Sequence, residues 1–371
     1  MTQTMTQAEL TERNVGQNLD DLMNLDPRGY GVCRILYPAS RARAGEPVST
    51  LFAKRLLNAA PKGGLVHIIT GFVLLPHRHG EMDGIVGAAL LARALNALGR
   101  KSAIIVPDAC VEAARALAGA LGLHSYLSVE QTLKYPHSTA VIAFPTDVEL
   151  AEPAAKSILA EGRPSAVVAT EAAGANSEGC YHTSMGFDVT DLEAKSEALF
   201  NLAQKEGIPT FAIGDLGNEI GMGAFADHLD AYIPRASRGL GRDCIIAGSS
   251  ADTALTATVS DWGMNAVIAA MAYLTESPAL LHSAAIQREA MVAASRAGMV
   301  NMYGDLNPSI DGFDADFNMT LVHLMRRLVE SALSLKQTCA PWFEDVIARG
   351  FYETDKPGKA YSPNETNQER Q

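Results

Sequence analysis

Cysteine is scarce. Five occur in 371 residues, Cys33, Cys110, Cys180, Cys244 and Cys339, and no two form a C-x-x-C pair. The odd count and wide spacing exclude a disulfide framework and a zinc knuckle, and they fit a reducing compartment. Long apolar runs are missing as well: none reaches the ~18 residues that a membrane span requires without charge or turn residues. The first residues carry acids and lack both the basic start and apolar stretch of a signal peptide and the Arg-rich bias of a transit peptide. The expected compartment is therefore the cytoplasm. Positive charge is in deficit, with 30 Lys and Arg against 42 Asp and Glu, a net charge of −12. That balance argues against nucleic acid and anionic membrane as partners. It leaves a small-molecule substrate, and it is compatible with a homo-oligomer.

What is present is a large apolar fraction, 47% of the residues, with 19% charged. A sizeable core follows, and wholesale disorder does not. Helical spacing marks 8–24 and 49–60. From residue 64 short apolar runs alternate with alanine-rich periodic segments. Strands are predicted at 64–72, 102–107, 138–144, 165–170, 210–214, 244–248 and 253–259. Helices are predicted at 85–99, 109–122, 149–161, 191–206, 219–230, 262–275, 279–297 and 315–336. Strands apolar throughout, separated by helices, indicate an α/β fold: a mostly parallel sheet with helices on both faces. An N-terminal helical extension (1–48) would precede the α/β domain (49–340), and a polar, flexible tail (354–371) would follow it.

In such a sheet ligands bind where the strands end and the loops begin. Four loops there bring acids or amides next to glycines, which allow close backbone approach. The first holds His77, His79, Glu81, Asp83 and Gly84. The second holds Glu171, Gly174, Gly179, Tyr181 and His182, the third Asp215, Gly217, Asn218, Glu219, Gly221 and Gly223, and the fourth Ser260, Asp261 and Trp262. Each has a structural alternative. Asp83 makes a good N-cap, Asp215 a turn residue, and Glu219 suits a first helical turn. His77 and His79 could be solvated, and Tyr181 and Trp262 could be core aromatics. Convergence of acids from separate loops favours a site for a cation or an amine. Glu81, Asp83 and Asp215 are expected in one pocket, with Tyr181, His182 and Asn218 supplying directional donors and acceptors to a substrate.

Other chemistries lack their residues. The glycine-rich Gly214–Gly223 stretch has no G-K-[ST] and does not fit G-x-G-x-x-G, and no G-x-S-x-G elbow occurs. His77-x-His79 has the spacing of amidohydrolase metal ligands, but the later Lys or His ligands have no counterpart.

A set of motifs does resemble a known family. Glu81-Met-Asp83-Gly84, Glu171-Ala-Ala-Gly174, Gly179-Cys-Tyr181-His182, Gly214-Asp215-Leu-Gly217-Asn218-Glu219-Ile-Gly221-Met-Gly223, Ser260-Asp-Trp262-Gly263 and Ser309-Ile-Asp311-Gly312 occur in the order of the D-glutamate cyclase family. The resemblance covers roughly residues 50–335. The chain departs from the family pattern with Met82 for Thr, Ile85 for Pro, Leu216 for Gly, Asp261 for Asn, and Asn301-Met-Tyr303-Gly304 where the family has a further D-G. The resemblance implies an α/β enzyme, a lyase by class, that interconverts D-glutamate and 5-oxo-D-proline with loss or gain of water. It implies catalytic roles for Asp83, Glu171, Asp215, Glu219 and Asp311, and substrate contacts from Tyr181, His182, Asn218 and Trp262. A divalent cation, Mn or Mg, is expected on Glu81, Asp83 and Asp215, because clustered carboxylates hold hard cations. Two other readings stay open: hydrolysis of another small lactam, lactone or cyclic imide, and a non-catalytic amino-acid-binding sensor.

Overall fold

The computed structural model describes residues 6–75, 77–233 and 245–335. Seven parallel strands form the central sheet: β1 (Leu65–Gly71), β2 (Lys101–Pro107), β3 (His124–Tyr126), β4 (Ser138–Phe144), β5 (Ala166–Ala172), β6 (Thr210–Gly214) and β7 (Thr253–Thr256). Their spatial order is β3-β4-β2-β1-β5-β6-β7. From β1 the chain first moves toward β2, and after β4 it returns to add β5 on the opposite side. The order therefore reverses between β1 and β5, where an open α/β sheet has its natural crevice.

Burial on both faces explains the unbroken apolar strands. Val66, Ile68, Ile104 and Val168 join one apolar cluster with α1 (Gln7–Met23), α3 (Val48–Ala59), α4 (Ile85–Ala97), α5 (Val111–Ala120), α10 (Ser260–Leu274), α11 (Ala284–Arg296) and α12 (Ala315–Leu335). The alternate positions Leu65, Ile69, Ile105 and Val167 join the other, with α2 (Val32–Ala44), α6 (Val129–Lys134), α7 (Val148–Glu161), α8 (Glu197–Lys205) and α9 (Ala226–Tyr232). This is the period-two alternation of a pleated sheet packed on both sides.

The N-terminal helices are built into this body. Val15, Leu19 and Met23 of α1 lie in the same cluster as α4 and α10. A capping box opens α1: Thr6 Oγ1 accepts from the Glu9 N–H, and Glu9 Oε2 accepts from the Thr6 N–H at 2.7 Å. Buried Asp20 accepts from the backbone N–H groups of Val48 (2.7 Å) and Ser49 (3.0 Å) and from the Tyr37 hydroxyl (3.0 Å). One carboxylate thus caps α3 from α1 and holds α2 beside both. Sequence periodicity did not single out α2, because Pro38 interrupts its middle.

Several boundaries differ from expectation. No strand forms over 245–248, whereas Cys244 lies outside the described residues. The Ala247 and Gly248 N–H groups instead donate to the carbonyls of Gly217 (3.1 Å) and Ala175 (2.7 Å), lining the glycine-rich loop. The helix expected at 219–230 is a turn through Met222, a 3-10 turn at Gly223–Phe225, and only then α9. Helix α8 starts at Glu197 rather than 191, and α11 at Ala284, capped by Ser283. The short, polar edge strand β3 carries too little pattern to be read from sequence. The expected tail at 354–371 lies outside the described residues. Among the described residues no helix is long and apolar enough to cross a membrane.

Candidate functional site

Acids from four loops meet at the carboxyl ends of β1, β5 and β6, beside the point where the strand order reverses. One oxygen each from Asp83, Glu171 and Asp215 lies within 4.8 Å of the other two, and all three residues are buried. Asp83 follows β1, Glu171 is the next-to-last residue of β5, and Asp215 comes directly after β6. Gly84 permits the approach: its φ is +77°, and a Cβ there would stand 2.4 Å from that of Glu171.

Asp83 does not cap its own helix. Its Oδ1 accepts from the Asp261 N–H (2.8 Å) and its Oδ2 from the Ser260 N–H (3.2 Å), at the start of α10. Asp261 returns the contact, its Oδ1 accepting from the N–H groups of Gly84 (2.9 Å) and Gly87 (2.8 Å) at the start of α4. The two helices therefore cap each other through side chains exchanged across the site, and both positive dipole ends face the carboxylates. The Ser260 hydroxyl donates to Glu171 Oε2 at 2.6 Å.

Crowding raises proton affinity throughout the cluster. Burial pushes Asp83, Glu171 and Asp215 well above the usual carboxylate range, and repulsion from neighbouring acids adds to it. Burial raises Glu81 to about 8, with the charge of Asp311 contributing, and Asp261 to about 7. Three acids this close cannot all ionise without a counter-charge, so the site holds protons, a cation, or both. An all-oxygen, buried donor set of this kind fits a hard divalent ion. Glu81 is outside that set, and Glu171 stands in the place expected for it. Glu81 is tied by backbone pairing to Val300, and its carboxylate feels Asp311 and Arg28 most strongly.

Asp311 reaches the site from the far end of the chain. It forms, with Gly312, the tip of a hairpin between Ser309–Ile310 and Phe313–Asp314; both φ angles are positive, +51° and +84°, as a tight Asp-Gly turn requires. Asp314, not Asp311, opens the following helix: its Oδ1 accepts from the Phe317 N–H at 2.8 Å. Asp311 Oδ2 receives Arg28 Nη1 at 2.6 Å. Arg28 lies in the N-terminal extension, and sequence reasoning missed it; an Arg in a Pro-Arg-Gly turn carries no signal that it meets a residue 283 positions away.

Glu219 has a bracing geometry. Its carboxylate accepts from the N–H groups of Asp215 (2.9 Å), Leu216 (2.9 Å) and Gly217 (2.7 Å), so it shapes the loop that carries Asp215. Asn218 donates from Nδ2 to the His182 carbonyl at 3.0 Å, joining the third loop to the second. His182 is buried, and Tyr181 is buried with the Lys195 ammonium 4.4 Å from its ring centre. Trp262 is fully buried, donates to Asn318 Oδ1 (2.9 Å), and packs on Phe313 and Phe317. Its indole anchors the hairpin of Asp311 to α10. His77 and His79 are exposed in their loop.

Residues 19–326 match the D-glutamate cyclase-like, C-terminal family. The chain belongs to that family. The cyclase-like match begins within α1, so it takes in Arg28 and most of the N-terminal helices. A curated relative is the human (Homo sapiens) protein named D-glutamate cyclase, mitochondrial, 25% identical over 334 residues, which are 88% of this chain and 49% of the relative. The cyclase-like chain thus spans about half the length of that relative.

Proposed function

We propose that this chain interconverts an amino dicarboxylic acid and its lactam, D-glutamate and 5-oxo-D-proline being the pair named by the family resemblance. The observation that carries the reading is the buried Asp83–Glu171–Asp215 cluster, whose crowding and burial raise proton affinity well above the usual carboxylate range, so that its members can hold and pass on protons. In the cyclising direction the amine nitrogen bonds to the side-chain carboxyl carbon, and one carboxyl oxygen departs. Of the three ammonium protons, one stays on the lactam nitrogen and two leave with that oxygen as water. A cluster holding fewer protons than carboxylates can take the first from the amine and deliver one to the departing oxygen. Asp83, Glu171 and Asp215 would hold a divalent cation, Mn or Mg, which when bound supplies Lewis acidity toward a carboxyl oxygen. Glu219 and Asn218 keep the loops in place. The free thiols of Cys33 and Cys110 support a reducing compartment such as the cytoplasm.

The test is product analysis after incubation with D-glutamate, L-glutamate and 5-oxo-D-proline, with Mn2+ and with chelator. Net conversion of the D pair, lost on chelation, is expected; conversion of none of the three overturns the reading. Departures at Met82, Leu216 and Asp261, in the loops that carry the acids, favour hydrolysis of a different lactam, lactone or cyclic imide as the second reading.

A further inference from the structure

The buried acids Asp83, Glu171 and Asp215, with the charges of Glu81 and Asp311 close enough to act on them, repel a substrate that itself carries carboxylates. A cation must offset this, and Arg28 is placed to do so. Its guanidinium is half-buried, and it is close enough to Asp215 as well as Asp311 for both charges to act on it. Nη1 donates to Asp311 Oδ2 (2.6 Å) and to the Asp311 carbonyl (3.3 Å), and Nη2 donates to the Thr258 carbonyl (3.0 Å). The rings of Tyr30 and Phe313 lie 5.4 and 5.3 Å from its central carbon, which fixes the plane.

A guanidinium has five N–H donors, and these contacts use three. Nε is buried with no hydrogen-bond partner. Nη2 has one hydrogen left. Nε and Nη2 make up one edge of the guanidinium, the two-donor edge that pairs with a carboxylate through parallel hydrogen bonds. An orphaned buried donor costs free energy unless something meets it. We infer that this edge of Arg28 receives the carboxylate that a lactam substrate keeps outside the reacting bond, while Asp311 holds the opposite edge in place. Arg28 is then a specificity-determining residue contributed by the N-terminal helices. The inference rests on the amino-acid and lactam reading above.

The experiment compares two lactams that differ by that carboxylate alone, 5-oxo-D-proline and 2-pyrrolidinone. Binding of each is measured by calorimetry on the full chain with Mn2+, for the parent, Arg28→Gln and Arg28→Lys, beside a melting curve and a turnover assay. The parent should prefer 5-oxo-D-proline by about 30-fold or more, the scale of a charge-assisted pair. Arg28→Gln should lose most of this preference, and Arg28→Lys, a point charge without the fork, should keep an intermediate part. If Arg28→Gln does not fold, the drop in Arg28→Lys carries the test. A parent without preference, or variants that keep the parent's preference, overturns the inference. So does equal weakening toward both lactams, which is what a purely structural Arg28 predicts. Arg28-dependent binding of 5-oxo-D-proline without its conversion would sink the proposed reaction and leave the inference standing.

Discussion

Asp311 separates two roles that one residue can play. As the first tip residue of an Asp-Gly hairpin it must adopt positive φ, which Asn does equally well. As a member of the site it must carry charge or accept a proton. Asp311→Asn should therefore melt within about 1 kcal/mol of the parent while turnover falls on the order of 100-fold or more. Parent-like turnover would remove Asp311 from the site. Asp83 has no such separation, since its carboxylate both caps α10 and belongs to the cluster. Asp83→Ala should lose activity and about 1–2 kcal/mol of stability together, read as a shift in the urea midpoint. At this scale the sequence was legible where a residue adjoins a strand end. Asp83, Glu171 and Asp215 were found because the loop-after-strand rule needs only the strands. The rule carries no orientation, so Glu219 and Trp262 passed it while their side chains turn to brace the loop and the hairpin. Arg28 failed it because it adjoins no strand.

Among the elements, fully buried strands were plain from composition, and β1, β2, β4, β5, β6 and β7 all were read. What escaped was held by tertiary bonding: α2 around Pro38, and 245–248, whose apolar residues line a loop instead of extending the sheet. Two buried ionisable groups give these elements opposite responses to pH. Burial lowers His67 of β1 to about 4 from 6.5, and neither ring nitrogen has a hydrogen-bond partner. The unfolded chain binds that proton first, so this histidine's destabilising effect grows as pH falls from 6.5 toward 4. His67→Leu should outlast the parent on heating, and its advantage should widen by about 2 kcal/mol between pH 7 and 5. An unchanged gap across that range would refute it. Asp20 runs the other way. Burial raises it to about 6 from 3.8, so its contribution is full below 3.8 and is lost as pH rises through 6. Asp20→Asn should lose stability relative to the parent at every pH because the α3 cap weakens, and the deficit should be largest near pH 4.

For the whole molecule, the carboxylate cluster predicts linkage between cation binding and folding. A divalent ion that binds the folded site alone stabilises it by about 2.7 kcal/mol at 100 times its Kd. The ion must displace protons from Asp83, Glu171 and Asp215, so the Mn2+-dependent rise in Tm should grow with pH and vanish in Glu171→Gln. A rise that persists in that variant would place the ion elsewhere. The pair between Arg28 and Asp311 has a consequence in time. During synthesis at ~5–20 residues per second, the 283 positions between them take roughly 15 to 60 s to emerge. For that interval Arg28 is out of the ribosome without Asp311, while the loops of Glu171 and Asp215 can settle at the carboxyl end of the sheet. Pairing of Arg28 with Asp311 is thus a late event of biogenesis, and a chain stopped short of the 309–314 hairpin would have much of the sheet with Arg28 still lacking this partner.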